Sequence, residues 1–262
     1  MPPLAASVRT DRPQRILITG ASSGIGAALA LAYAERGIGL VLGGRDLPRL
    51  AATEGACRAR GAEVEAATVD VTDAGAMRRW IEAADDRAPL DLVIANAGIS
   101  AGTGTDGESE AQARAIFATN IDGVVNTVWP ALQRMERRGR GQVALMSSLA
   151  AFRGFPGAPA YCGSKAAVRV WGEGLRGEYA GKGVAVSVIC PGYIESPMTA
   201  VNDFPMPLLM SAERAAGIVK RGLARNRARI AFPFPMYVAA WLLSALPPGL
   251  TDPLLRRLPK KA

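Results

Sequence analysis

Along this chain short apolar runs alternate with longer segments whose composition suits helices. The runs fall at Arg15–Thr19, 39–46, Glu63–Thr68, 90–95, 142–147 and 184–190, with a seventh candidate at 228–232. An Ala- and Leu-rich stretch that stops at Gly37 follows the first run. Further helical stretches cover 47–60, 109–138, 159–180 and 211–223, and Thr72 or Asp73 can cap another after the third run. Short apolar runs in alternation with longer helices predict a parallel sheet with helices on both faces. The fold class is therefore α/β, doubly wound, with six or seven strands. The segment 109–138 reads as one long helix that contains Asn120, with Pro130 as the point where it kinks. Residues 193–210 are rich in Pro and Met and too long for a tight connector, so they read as a lid. No internal repeat or linker divides the chain. It reads as one domain over 1–262, with a core at about 13–232 and a C-terminal extension at about 233–262.

Composition narrows the field. At 49% hydrophobic and 21% charged, the chain has enough apolar residues for one sizeable core. The net charge of +8 comes from scattered basic residues with no aromatic-interleaved basic motif, so no nucleic acid partner is expected. Three cysteines (Cys57, Cys162, Cys190) with no C-x-x-C spacing point to neither a disulfide framework nor a zinc site, and to a reducing, cytoplasmic setting. The first fourteen residues lack the long apolar core of a signal peptide, and no run reaches the length of a membrane span. There is no histidine. That removes the Ser-His-Asp triad, histidine metal sites and a histidine base, so any acid/base chemistry must use other groups.

The candidate chemistry sits at the ends of the strands. The first run leads into GASSGIG, with Gly20, Gly24 and Gly26 between a strand and a helix, and with Ser22, Ser23 and Ile25 among them. Glycines there let backbone approach a pyrophosphate, and the helix N-terminus offers free N–H groups. The second run ends at Arg45, whose planar fork suits a 2′-phosphate; Asp46 follows it. Asp70 and Asn96 end the third and fourth runs. In an open parallel sheet, ligands bind beyond these strand ends.

Tyr161 and Lys165 lie four residues apart on the helix at 159–180, with Ser148 thirteen residues before the tyrosine. That spacing brings their Cβ atoms to roughly 5–6 Å. At that separation an ammonium would favour the phenolate by ~3 kcal/mol, or about two pKa units, and so bring the tyrosine into general acid/base range. Ser148 can donate to the oxygen whose charge changes.

Taken together these residues resemble the short-chain dehydrogenase/reductases over about residues 13–232. The matched pieces are Thr19 through Gly26, Asp70-Val71-Thr72-Asp73, Asn96-Ala97-Gly98, Asn120, Ser148, Tyr161 with Lys165, and Pro191-Gly192. Ala95 departs from the asparagine that many members have there. The resemblance implies a Rossmann-type domain and hydride transfer between a nicotinamide and a carbonyl or secondary alcohol. It implies Tyr161 as proton donor and acceptor, Lys165 as its activator and ribose ligand, Ser148 as substrate orienter and Asn120 as holder of a relay water. The glycine loop would carry the pyrophosphate, Asp70 and Val71 would flank adenine, and Asn96, Ala97 and Gly98 would line the adenosine and ribose side. Pro191, Gly192, Ile194 and Ser196 complete the expected cofactor set, with the Ser196 hydroxyl toward the carboxamide. Arg45 resembles the NADP-preferring members, so NADP(H) is favoured over NAD(H). Relatives pair through their long helices, so a homodimer or higher homo-oligomer is expected.

The extension departs from the family. Residues 236–246 are apolar, and Arg256, Arg257, Lys260 and Lys261 follow. Such a segment can lie in a membrane interface as a peripheral contact, or cover the substrate cleft or a subunit interface; both fit a hydrophobic substrate. Two readings compete with the oxidoreductase: a catalytically silent nucleotide-binding protein and a peripheral membrane scaffold on the same fold. The joint presence of Asn120, Ser148, Tyr161 and Lys165 argues for the enzyme.

Overall fold

Seven strands form one sheet in the order β3-β2-β1-β4-β5-β6-β7, and every neighbouring pair is parallel. They are β1 (Arg15–Thr19), β2 (Gly39–Gly44), β3 (Glu63–Thr68), β4 (Leu92–Ala95), β5 (Gly141–Met146), β6 (Val184–Pro191) and β7 (Arg229–Phe232). The computed structural model describes residues 12–100 and 107–255. The leader reading for residues 1–11, most of the 100–108 loop, and Arg256, Arg257, Lys260 and Lys261 lie outside the described residues.

Among the described residues ten α-helices connect and clad these strands: α1 (Gly24–Tyr33), α2 (Leu47–Ala59), α3 (Ala74–Arg87), α4 (Glu110–Phe117), α5 (Gly123–Arg138), α6 (Pro159–Tyr179), α7 (Pro197–Ala200), α8 (Ala212–Ala224), α9 (Phe234–Ala245) and α10 (Pro248–Leu255). Side-chain alternation along the strands makes two cores. Ile16, Ile18, Leu40 and Leu42 point to one face, where Leu29, Tyr33, Leu50, Val219 and Leu223 from α1, α2 and α8 cover them. Leu17, Val41, Val93 and Val143 point to the other, under Met77, Ile81, Val128, Leu132 and Leu175 from α3, α5 and α6. A sheet covered on both faces has no use for polar alternation, which is why these strands read as continuous apolar runs. The strand order reverses between β1 and β4, and the cleft opens beyond the carboxyl ends there.

The expected long helix over 109–138 is not continuous. A π-helical turn at Ala118–Asp122 separates α4 from α5, and the Gly123 N–H reaches back five residues to the Ala118 carbonyl. α5 runs on through Pro130. The irregularity thus sits at Asn120 and not at the proline. Such turns recur at functional sites, and here it coincides with an outside partner: the Asn120 amide is bonded to the Ile99 backbone.

The segment 193–210 carries the single turn α7 and an isolated bridge between Ile194 and Met210. After β7, α9 lies against the end of β6 and packs Met236, Tyr237 and Ala240 on Leu149, Phe152, Val188 and Cys190. The Phe152 ring has the guanidinium of Arg169 at 4.7 Å and that of Arg229 at 5.4 Å, and both arginines pair with Glu173. α10 is tied back by Arg153, which donates to Asp252 at 2.6 Å and Thr251 at 3.1 Å.

Candidate active site

At the β1 end the chain must turn sharply into α1. Gly20 and Gly24 take positive φ (+67° and +52°), which L side chains rarely adopt. Gly26 serves a different need. A Cβ built there would collide with the Gly20 carbonyl and come within 2.5 Å of Asn96 Nδ2, so only glycine lets α1 sit this close to the turn. Asn96 braces the turn in return: its Nδ2 donates to the carbonyls of Thr19 (3.0 Å) and Gly20 (3.2 Å). Thr19 Oγ1 accepts from the N–H groups of Asn96 (3.1 Å) and Ala97 (3.2 Å). Ser23 makes no side-chain cap, and the first turn of α1 has no acidic residue. The N-terminal N–H groups of α1 therefore have no side-chain carboxylate or hydroxyl cap competing for them.

A cleft of about 350 Å³ runs from this turn to α6. Gly20, Ser22, Ser23, Gly24, Ile25, Arg45, Val71, Asn96, Ala97 and Gly98 line one part of it. Ser148, Tyr161, Lys165, Pro191, Gly192, Ile194 and Ser196 line the other. Three expected residues lie outside that lining. Gly26 is spent on packing. Asp70 is turned onto Thr72, accepting from its N–H and its hydroxyl at 2.9 Å each, so Val69 and Val71 present the wall instead. Asn120 is fully buried, and its side-chain amide makes three hydrogen bonds. Oδ1 accepts from the Ile99 N–H (2.8 Å), while Nδ2 donates to Ile99 O (2.9 Å) and Ser164 Oγ (3.1 Å). Its side chain is a brace, and it stands close to the site: a Cβ on Gly98 would lie 3.1 Å from Asn120 Oδ1 and 3.2 Å from Lys165 Nζ. Ser196 likewise has its hydroxyl engaged, in a capping box with Thr199.

Helix α6 presents Tyr161 and Lys165 to the cleft. Pro159 opens the helix, as suits a position that needs no N–H donor. Glu108, from the far side of the 100–108 loop, accepts the Ala160 N–H at 3.0 Å and so caps this N-terminus from outside. Ser147 Oγ donates to the Lys165 carbonyl at 2.8 Å, fixing the helix to the end of β5. Lys165 Nζ donates to the Met146 carbonyl at 3.0 Å and stands 5.8 Å from the Tyr161 ring centroid. Burial pushes the Tyr161 phenol above its ordinary value, against the pull of Ser148, which favours ionisation. Burial also brings Lys165 down to about 8, with Cys190 opposing. The expected lowering of Tyr161 by Lys165 does not emerge: removal from water outweighs the pull of Ser148, and the phenol is held protonated. Glu108, Ser147 and Ser164 carry no motif of their own. The two serines could have been suspected as hydroxyls beside Ser148 and Lys165 in the chain; nothing in the sequence marks Glu108.

A model of the short chain dehydrogenase family matches residues 14–204. The chain belongs to that family. An uncharacterised oxidoreductase of Myxococcus xanthus is 41% identical over 92% of this chain and 96% of its own length. Among solved structures, a short-chain dehydrogenase of Sphingobium yanoikuyae in complex with NADPH is 26% identical, with a TM-score of 0.78 over 94% of this chain and 96% of that one. One from Burkholderia phymatum in complex with NAD superposes with a TM-score of 0.80 at 24% identity, over 95% of this chain and 97% of that one. Solved members of the fold thus carry NAD or NADPH. The dehydrogenase described here is an oxidoreductase of CH–OH or C=O groups. Its cleft fits a dinucleotide: glycines with positive φ, N–H groups at the α1 N-terminus without a side-chain cap, and an arginine at the end of β2 form a donor set for phosphate oxygens. Among the described residues no cluster of metal-ligating side chains occurs.

Proposed function

We propose that this dehydrogenase interconverts a hydrophobic carbonyl compound and its secondary alcohol, with Tyr161 moving the proton. One observation carries this reading: Ser148, Tyr161 and Lys165 line the same cleft as the glycine turn. The nicotinamide supplies the hydride when bound. The chain's own residues do the rest. A phenol kept protonated by burial is suited to donate as the substrate oxygen gains charge. Ser148, buried and with its hydroxyl 3.4 Å from the Pro191 carbonyl, orients that oxygen. Lys165 adds positive potential beneath the site. Met146, Pro191, Ile194 and Met198 give the cleft an apolar wall, which favours an apolar substrate. A panel of ketones and alcohols followed by NADPH absorbance tests the proposal. Turnover is expected with apolar ketones, and no turnover with any member overturns it.

The preferred cofactor in this reading is NADP(H). Arg45 stands exposed at the cleft, while the Asp46 carboxylate is spent as the N-cap of α2, accepting from the Arg49 N–H at 3.1 Å. A charge-assisted contact to a 2′-phosphate corresponds to about 10- to 100-fold tighter binding of NADPH than of NADH. Arg45→Ala should erase that gap. Tighter binding of NADH by the native protein would refute the preference.

The reading includes a homo-oligomer paired through α4 to α6, supported by the apolar Phe117, Trp129 and Val170 on their outer surface, 41%, 39% and 59% exposed. Sedimentation should find a dimer or larger species that Trp129→Glu with Val170→Glu converts to monomer. A native monomer counts against it.

A further inference from the structure

The C-terminal helices carry a surface that the fold itself does not use. From residue 230 to residue 251 there is no charged side chain. A helix apolar on all sides is normally buried on all sides. α9 is covered on one side only. Met236, Tyr237 and Ala240 face the protein, while Phe234 (72%), Trp241 (52%) and Leu242 (51%) stand exposed. Leu246 and Leu250, at the joint with α10 and on it, are exposed as well. The two helices are nonetheless firmly attached. Arg229 donates to the Tyr237 hydroxyl at 3.1 Å, and Arg153 holds Thr251 and Asp252. The outer face is thus an apolar ridge that includes Phe234 and Trp241, on helices bonded to the body of the protein.

We infer that this ridge docks on the surface of an anionic lipid bilayer. Two features select lipid over a second copy of the chain. The first is charge. Arg256, Arg257, Lys260 and Lys261 follow α10 directly, with no acidic residue after Asp252. Cationic residues next to an interfacial apolar segment are drawn to anionic headgroups. Pairing of two chains through this face would instead add the like charges of two tails to one assembly. The second is composition: along α9 the exposed face carries no polar side-chain group beyond the Ser244 hydroxyl, which donates to the Trp241 carbonyl at 2.7 Å. A protein partner would require a polar rim for register. Insertion of α9 and α10 is shallow, because no described helix is long and apolar enough to cross a membrane.

The location gives the docking a use. Gly192, in the wall of the cleft, packs against Pro233 and Met236 at the root of α9; a Cβ there would lie 3.0 and 3.3 Å from them. The lid begins one residue later and exposes Val201, Leu208 and Leu209. A chain docked by α9 therefore holds the root of its lid close to the lipid, the phase in which an apolar substrate dissolves.

Co-sedimentation with vesicles tests this on the full-length chain. Binding to phosphatidylserine/phosphatidylcholine vesicles should exceed binding to pure phosphatidylcholine vesicles by at least about tenfold at low salt, and should fall as salt is raised. Trp241→Glu with Leu242→Glu should lower binding to the mixed vesicles by at least about tenfold. Arg256→Glu with Arg257→Glu should remove the preference for anionic lipid. An unchanged thermal melt shows that each variant is folded; a variant that melts early is replaced by Phe234→Glu or Leu250→Glu. Equal binding to both vesicle types, or undiminished binding by the Trp241 and Leu242 variant, overturns the inference. So does a native dimer that this variant splits while the native chain ignores vesicles, since the face then belongs to a second copy.

Discussion

Tyr161→Phe should lower kcat/KM for ketone reduction by about 10³-fold or more, the range expected when a positioned acid is removed. That loss corresponds to about 4 kcal/mol of transition-state stabilisation. The substitution deletes one oxygen from a site otherwise held by other groups. Lys165 keeps its bond to Met146, Ser148 keeps its contact with Pro191, and the Asn96 brace of the glycine turn is untouched. NADPH affinity should therefore change by no more than the loss of one hydrogen bond, at most about tenfold. The pH profile adds a second reading. Burial raises the phenol, so its proton is retained through neutral pH and reduction should be flat there, declining only on the alkaline side. Oxidation needs the ionised form and should rise over that alkaline range. A Phe variant that retains a tenth of native turnover, or that reproduces the native pH profiles, would falsify the role given to this tyrosine.

Much of the frame was legible because it depends on local pattern. The bounds of β1 and β3 match the runs read for them to the residue; β1 is interior and buried along nearly its whole length, whereas β3 lies at the sheet edge and carries Glu63, Glu65 and Thr68. The glycine turn was legible for the same reason: Gly20 and Gly24 answer to a backbone requirement. What failed to show in the sequence depends on where a long side chain turns. The i, i+4 spacing does place Tyr161 and Lys165 as neighbours, but it says nothing of the Met146 carbonyl, to which the ammonium donates. Asn120 and Asp70 were found by position, but their bonds to Ile99 and Thr72 have no signal in the sequence. The π turn has the same origin. A local pattern does not distinguish π from α winding, and the bonds between Asn120 and Ile99 come from another strand end. α10 was missed since Pro253 sits inside it and its anchor, Arg153, lies far off in sequence.

Lys165→Met should separate stability from activity in opposite directions. Lys165 is 3% exposed, and burial brings its ammonium down to about 8, from an ordinary value of 10.5. Between those two values the unfolded chain holds a proton that the native protein has released, so stability rises with pH across that window. Below about 8 both states are protonated, and the native fold carries the full cost of the buried charge, about 3 kcal/mol. Methionine has a similar length and no charge. It removes that cost and gives up the bond from Nζ to the Met146 carbonyl, worth about 1 kcal/mol. A net gain of about 2 kcal/mol at pH 7 should raise the melting temperature by about 5 °C for a chain of this size. The gain should shrink as the pH is raised past 8 and be lost near the ordinary lysine value, where the native side chain is already neutral. Turnover should fall by at least about 10²-fold, because the positive potential that assists proton movement at Tyr161 is gone. Thermal melts from pH 6 to 10 without cofactor, set beside kinetics of the same two proteins, give both readings. A variant that melts below the native protein at pH 7 would mean that the ammonium stabilises the fold. The lysine would then be a structural anchor, and not a charge kept in the cleft at the expense of stability.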